Sequence, residues 1–94
     1  MRNYKFVLVS ETGYDKNHDQ MLTSLLDQGY ELFSVVGKDC QLWEEIMDEF
    51  SVGDGINSRF IVTTSHPDET VEEVIEFAKS FVTDHNSDVD VLHV

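Results

Sequence analysis

Residues 59–81 pass from an apolar run, through the chain's only proline, into an amphipathic stretch, with no room for a hairpin return. Arg59-Phe60-Ile61-Val62-Thr63-Thr64-Ser65 has the β-branched and aromatic character of a strand covered on both faces. His66-Pro67-Asp68-Glu69 then reads as a helix start, because a proline is tolerated in a first helical turn, where the N–H it lacks would have no partner. Asp68, Glu69, Glu72 and Glu73 place negative charge at the positive end of the helix dipole. Val71, Val74, Ile75, Ala78, Phe81 and Val82 keep the 3.6-residue period and leave an acidic face opposite. A strand feeding directly into a helix returns as a crossover to a parallel neighbour, and that requirement sets the fold class.

The alternation recurs along the chain. Residues 4–10 form a near-continuous apolar run and the first predicted strand, followed by a polar, turn-rich loop over 11–17. A helix over 18–28 buries Met21, Leu22, Leu25 and Leu26 and ends at Gly29. Residues 30–36 give the second strand. Asp39 is the expected N-cap of a helix over 40–50, with Leu42, Trp43, Ile46, Met47 and Phe50 inward and Glu44, Glu45, Asp48 and Glu49 outward. Residues 51–58, with two glycines, read as the main loop, and residues 88–94 as a last, edge-like strand.

The order β-α-β-α-β-α-β predicts a single α/β domain over 1–94: a four-stranded parallel sheet, with its edge open to mixing, flanked by three helices and joined by right-handed crossovers. Strands one and three are the most apolar, so the expected strand order is 2-1-3-4. A ligand crevice would then lie between them, lined by Ser10, Glu11 and Thr12 on one side and Thr64, Ser65 and His66 on the other.

Charge is the strongest compositional constraint. Six Lys and Arg stand against 19 Asp and Glu, a formal net charge of −13, and such a surface repels nucleic-acid backbones and anionic membranes while speeding encounter with cationic partners. Hydrophobic content of 40% argues against disorder despite that charge. No run of about 18 apolar residues offers a membrane span, and the N-terminus reads as a strand with no leader pattern. One cysteine, Cys40, cannot form an internal disulfide, so a reducing cytoplasm is the expected compartment.

Chemistry-bearing patterns are sparse. Ser65-His66-Pro67-Asp68-Glu69 resembles the zinc-binding His-Pro-Asp-Asp-Glu signature of the amidohydrolases that deacetylate N-acetylglucosaminyl lipids. A metal held by His66 and an acid would need a further histidine, and His18, His85 and His93 show no ligand spacing, so no metal and no cofactor is expected. Cys40 sits behind Lys38 at a helix start that can activate a thiol, but Asp39, Glu44 and Glu45 oppose a thiolate there, which favours a structural role. Asp15-Lys16-Asn17-His18-Asp19 begins like a calcium loop yet has Gln20 and Leu26 where that loop needs glycine and glutamate. No catalytic set emerges.

The acidic helix faces remain. Gly37-Lys38-Asp39-Cys40-Gln41-Leu42-Trp43-Glu44-Glu45-Ile46 resembles the glycine, acidic/amide, Leu-Trp-acid helix of barstar-type ribonuclease inhibitors, whose acids plug a cationic nuclease site. Glu44 occupies the matching position after Leu-Trp; Cys40 falls near the earlier inhibitory acid. The string from Thr63 to the Glu72-Glu73-Val74-Ile75-Glu76-Phe77-Ala78 helix looks like that of small bacterial proteins of no assigned activity. The resemblance implies an immunity or antitoxin-type inhibitor that occludes a basic protein partner such as a nuclease toxin. Glu44, Glu45, Asp48 and Glu49 would lie at its centre, with Glu72, Glu73 and Glu76 in support if the two helices pack side by side. A ligand-binding or hydrolytic domain around His66 is the alternative. A homodimer through the exposed edge of Val89, Val91 and Val94 is another.

Overall fold

A computed structural model describes residues 3–53, 61–83, 85 and 87–94. Its elements follow the expected alternation: β1 (Lys5–Ser10), a 3-10 turn (Lys16–His18), α1 (Asp19–Asp27), β2 (Leu32–Gly37), α2 (Cys40–Val52), β3 (Val62–His66), α3 (Val71–Ser80) and β4 (Val89–His93). All strand pairs are parallel. The sheet order is β3-β2-β1-β4, not 2-1-3-4. The physical reason lies in which residues are paired. β2 is buried from Leu32 to Val36, so it, with β1, takes the centre. β3 begins only at Val62 and carries Val-Thr-Thr-Ser-His, whose hydroxyls suit an edge. Arg59 and Phe60, and with them part of the apolar run expected in a central strand, lie outside the described residues, as do residues 54–58 of the expected loop.

Strand pleating sorts the side chains into two cores. Phe6, Leu8, Phe33 and Val35 face Leu22, Leu25 and Leu26 of α1 and Cys40, Trp43 and Met47 of α2. Val7, Val9, Leu32 and Val36 face Val74 and Ala78 of α3. α1 and α2 therefore cover one face of the sheet and α3 the other. Lys5 is buried on the α3 side, where its Nζ donates to the carbonyl of Lys79, a cation on the negative end of that helix.

Several local expectations shift. α3 starts at Val71, after a Thr70–Glu73 capping box, and Pro67 lies in the preceding turn. The box satisfies two orphan N–H groups at once, which Pro67 has no means to do. Phe81 is already extended but still packs against the α3-side core, and Val82 is 87% exposed, so the apolar stripe ends at Phe81. Leu42 is 42% exposed and not part of the α2 core stripe. Asp39 does precede α2, but at φ 60° and with no side-chain cap to the helix. Its Oδ2 instead accepts from the N–H of Tyr14.

Candidate functional site

The C-terminal ends of β1 and β2 carry the tightest local construction. Gly37 has φ +102°, and a Cβ there would stand 2.3 Å from the carbonyl oxygen of Ser10, so only glycine lets the chain cross β1. That same oxygen accepts from the N–H of Lys38 at 2.8 Å. The buried Ser10 hydroxyl accepts from Trp43 Nε1 at 2.9 Å, fixing the start of α2 against β1. A shallow depression of about 350 Å³ opens beside it, between Gly37–Leu42 and Pro67, with Cys40 nearly closed off at 4% exposure.

Around Trp43 the loop after β1 builds an aromatic and acidic cluster. Tyr14 meets the indole edge-on at 5.2 Å, and His18 lies 5.0 Å from it. Tyr14 donates its hydroxyl to Asp19. This bond, burial, and the charges of Asp19, Asp15 and Glu49 together push the Tyr14 phenol up to about 12. Carboxylates from the loop, from α1 and from α2 thus act on one tyrosine.

The seven helix acids separate by role. Glu44 Oε1 accepts from Ser65 Oγ at 2.9 Å, and Asp48 Oδ1 accepts from Thr63 Oγ1 at 2.5 Å, so both tie α2 to the edge strand β3. Glu73 closes the capping box of α3. Glu45 and Glu49 on α2, and Glu72 and Glu76 on α3, are exposed. Because α2 and α3 lie on opposite faces of the sheet, their acids do not merge into one surface, contrary to the side-by-side arrangement expected from sequence.

The six crevice residues are likewise divided, since β2 runs between β1 and β3, two strand spacings or about 10 Å apart. Ser10 is taken by Trp43. The N–H groups of Glu11 and Thr12 donate to the carbonyl of Val94, and Glu11 pairs with His93 at 3.1 Å. Ser65 faces α2, while Thr64 and His66 face α3. On that side a hydrogen-bonded chain runs from Ser34 Oγ to Thr64 Oγ1 (2.7 Å), on to His66 Nε2 (2.9 Å), and from His66 Nδ1 to Glu69 Oε2 (3.1 Å). His66 is buried against Phe77. Among the described residues, no three His, Cys, Asp or Glu side chains are grouped to hold a metal ion. No helix of the described residues is long and apolar enough to cross a membrane.

Sequence reasoning missed Tyr14, Asp15 and Asp19, which join α2 only through the fold, and Ser34, hidden in an apolar strand. The spacing Thr64-x-His66-x-x-Glu69, a strand running into a turn, was the one local signal for the hydrogen-bonded chain.

A family model described as a domain of unknown function (DUF7684) matches residues 1–94. The chain belongs to that family. Neither a curated protein nor a solved structure matches it. The match covers both the α2 acids and the β3 edge.

Proposed function

We propose that this member of the DUF7684 family is a non-catalytic, acidic protein-binding module of the immunity or antitoxin kind. It covers a basic site on a partner such as a nuclease toxin with the face formed by α2 and the loop after β1. The observation that carries the reading is the convergence of Asp15, Asp19 and Glu49 on Tyr14, beside the exposed Glu45, in a chain with 19 acids and 6 Lys and Arg. Tyrosine is enriched among interface hot spots, and surrounding negative charge raises on-rate and specificity toward a basic partner. The Leu42-Trp43-Glu44 resemblance to barstar-type inhibitors points to the same helix. Glu45, Asp48 and Glu49 are its exposed acids, with Glu45 and Glu49 free of the bonds by which Glu44 and Asp48 hold β3. Glu72, Glu73 and Glu76 on the far face take no part in this contact. With one cysteine and no disulfide to protect, the module works in the cytoplasm.

The test is a comparative capture from host lysate with immobilised wild type and with the Glu45→Lys/Glu49→Lys variant, at low and moderate salt. One basic protein recovered near equal stoichiometry by wild type, lost with the variant and weakened by salt, supports the reading. Equal recovery by both proteins, or nothing specific with either, ends it.

A second reading, a ligand-binding or hydrolytic domain at His66, is favoured by one observation. The Thr64–His66–Glu69 chain has the hydroxyl–imidazole–carboxylate order that activates a nucleophile. Hydrolysis of an activated ester that disappears in His66→Ala and Thr64→Val, and persists in the Glu45/Glu49 variant, would establish it. Equal background rates in all of them would remove it.

A further inference from the structure

β4 is an edge strand, and its free side is unusually well defined. The N–H of Val94 donates to the carbonyl of Val9 at 2.9 Å, and the carbonyl of Val94 accepts from the N–H of Glu11 at 2.7 Å. Main-chain groups alternate sides along a strand, so Asp90, Leu92 and Val94 turn theirs toward β1. Val89, Val91 and His93 turn theirs outward, where β4 pairs with no described strand. The side chains alternate too. Val91 shares the α3 face with Val89, and Leu92 shares the opposite face with Val94, which packs against the α1/α2 core. Val91 is 40% exposed and Leu92 39%.

Two neighbouring apolar residues left open on opposite faces of one edge narrow what can cover them. A helix or loop laid on either face would shield one and leave the other. A strand added along the edge shields both and satisfies the outward N–H and C=O groups. We infer that β4 pairs antiparallel with β4 of a second copy, about a two-fold axis at Val91, to form one continuous eight-stranded sheet.

Three observations select a second copy as the occupant. With the axis at Val91, all three outward residues find partners, Val91 with Val91 and Val89 with His93, in a contact that closes on itself. Charge points the same way. Between Val89 and Val94 there is one carboxylate, Asp90, in a chain with 19 acids, so two copies meet here with little local repulsion. Asp90 is held by Asn3 Nδ2 at 2.8 Å and by the Tyr30 hydroxyl at 2.5 Å, and the other carboxylate beside the strip, Glu11, is paired with His93 at 3.1 Å. The other edge, β3, is lined by Glu44 and Asp48 and offers no such strip.

The test is sedimentation equilibrium over a wide concentration range at low and high salt, with amide hydrogen exchange on the same samples. A monomer–dimer equilibrium is expected, and it tightens with salt because screening relieves repulsion between two copies of charge −13. That direction is opposite to the salt dependence of a basic partner on the α2 face, so the two readings fail separately. The amides of Val91 and His93 gain protection as concentration rises. Val91→Pro removes an outward N–H without touching the bonds to β1, and Val91→Lys adds a charge at the axis; each weakens the dimer by about tenfold or more. A monomer under all conditions overturns the inference. So does a dimer unchanged in both folded variants, or one that forms without protecting the Val91 and His93 amides. Protection that appears only when a different polypeptide is added overturns it as well.

Discussion

Glu44 Oε1 accepts a hydrogen bond from Ser65 Oγ at 2.9 Å, so the acid that follows Trp43 is engaged by the edge strand of its own sheet. A partner reaching Glu44 competes with β3 for it; a partner reaching Glu45, one residue on, competes with water alone. Glu44→Ala is therefore expected to cost about 0.5–1.5 kcal/mol of stability, while Glu45→Lys stays within about 0.5 kcal/mol of wild type. Urea midpoints of the two variants check this. Equal midpoints would show that the Glu44 bond contributes nothing.

The indole of Trp43 offers a second measurement. Ser10→Ala leaves a buried N–H without its acceptor, and the expected loss is about 1–3 kcal/mol. The chain has a single tryptophan, so its fluorescence reports unfolding directly. Trp43→Phe removes the N–H but leaves the buried Ser10 hydroxyl without its partner and opens a void, so its cost adds lost packing to an orphaned polar group. An unchanged Ser10→Ala transition would mean that water replaces the hydroxyl.

Gly37→Ala is expected to be severe. The backbone conformation at φ +102° alone costs a side chain about 1–3 kcal/mol. The overlap with the Ser10 carbonyl adds to it, because that oxygen also accepts from Lys38 and has no freedom to retreat. Thermal unfolding of Gly37→Ala should show a transition many degrees below wild type, and a shift of a degree or two would contradict the crossing described here.

Two groups give stability a pH signature. The Tyr14 phenol is raised from 10.0 to about 12, so the folded state holds that proton more tightly than the unfolded state. Its contribution is complete below pH 10 and is lost as pH rises toward about 12. Glu31 behaves oppositely. Burial opposes its ionisation, but hydrogen bonds from the His85 side chain and main chain, the His85 charge and Thr83 outweigh it and hold the carboxyl below its ordinary 4.5. That contribution is present above pH 4.5 and lost as pH falls below it. Tyr14→Phe should flatten the alkaline limb of a stability–pH curve and remove one tyrosine's component, the one near pH 12, from an absorbance titration. Glu31→Gln should flatten part of the acid limb. A Tyr14→Phe curve that superimposes on wild type above pH 10 would rule out the first assignment.

The α/β class, the seven elements and most of the core were legible in the chain itself. Strand and helix follow from side-chain periodicity, a local property, and Leu22, Trp43, Met47, Val74 and Ala78 fell inward where their spacing put them. The capping of α3 was written locally too, in Thr70 and Glu73, although Pro67 drew the expected start too early. The strand order was decided only in three dimensions. Apolar character ranked β1 and β3 as central, but the centre goes to the strands whose two faces are both covered, and Thr63, Thr64 and Ser65 bring polar groups that an edge accommodates more cheaply. That one exchange separated Ser10 from His66 and put α2 and α3 on opposite faces, while β4 keeps the edge position that either order gives it. Which acids hold the fold and which face water was equally beyond sequence. Glu44 and Glu45 are the same residue type side by side, and only the position of Ser65, 21 residues away, distinguishes them.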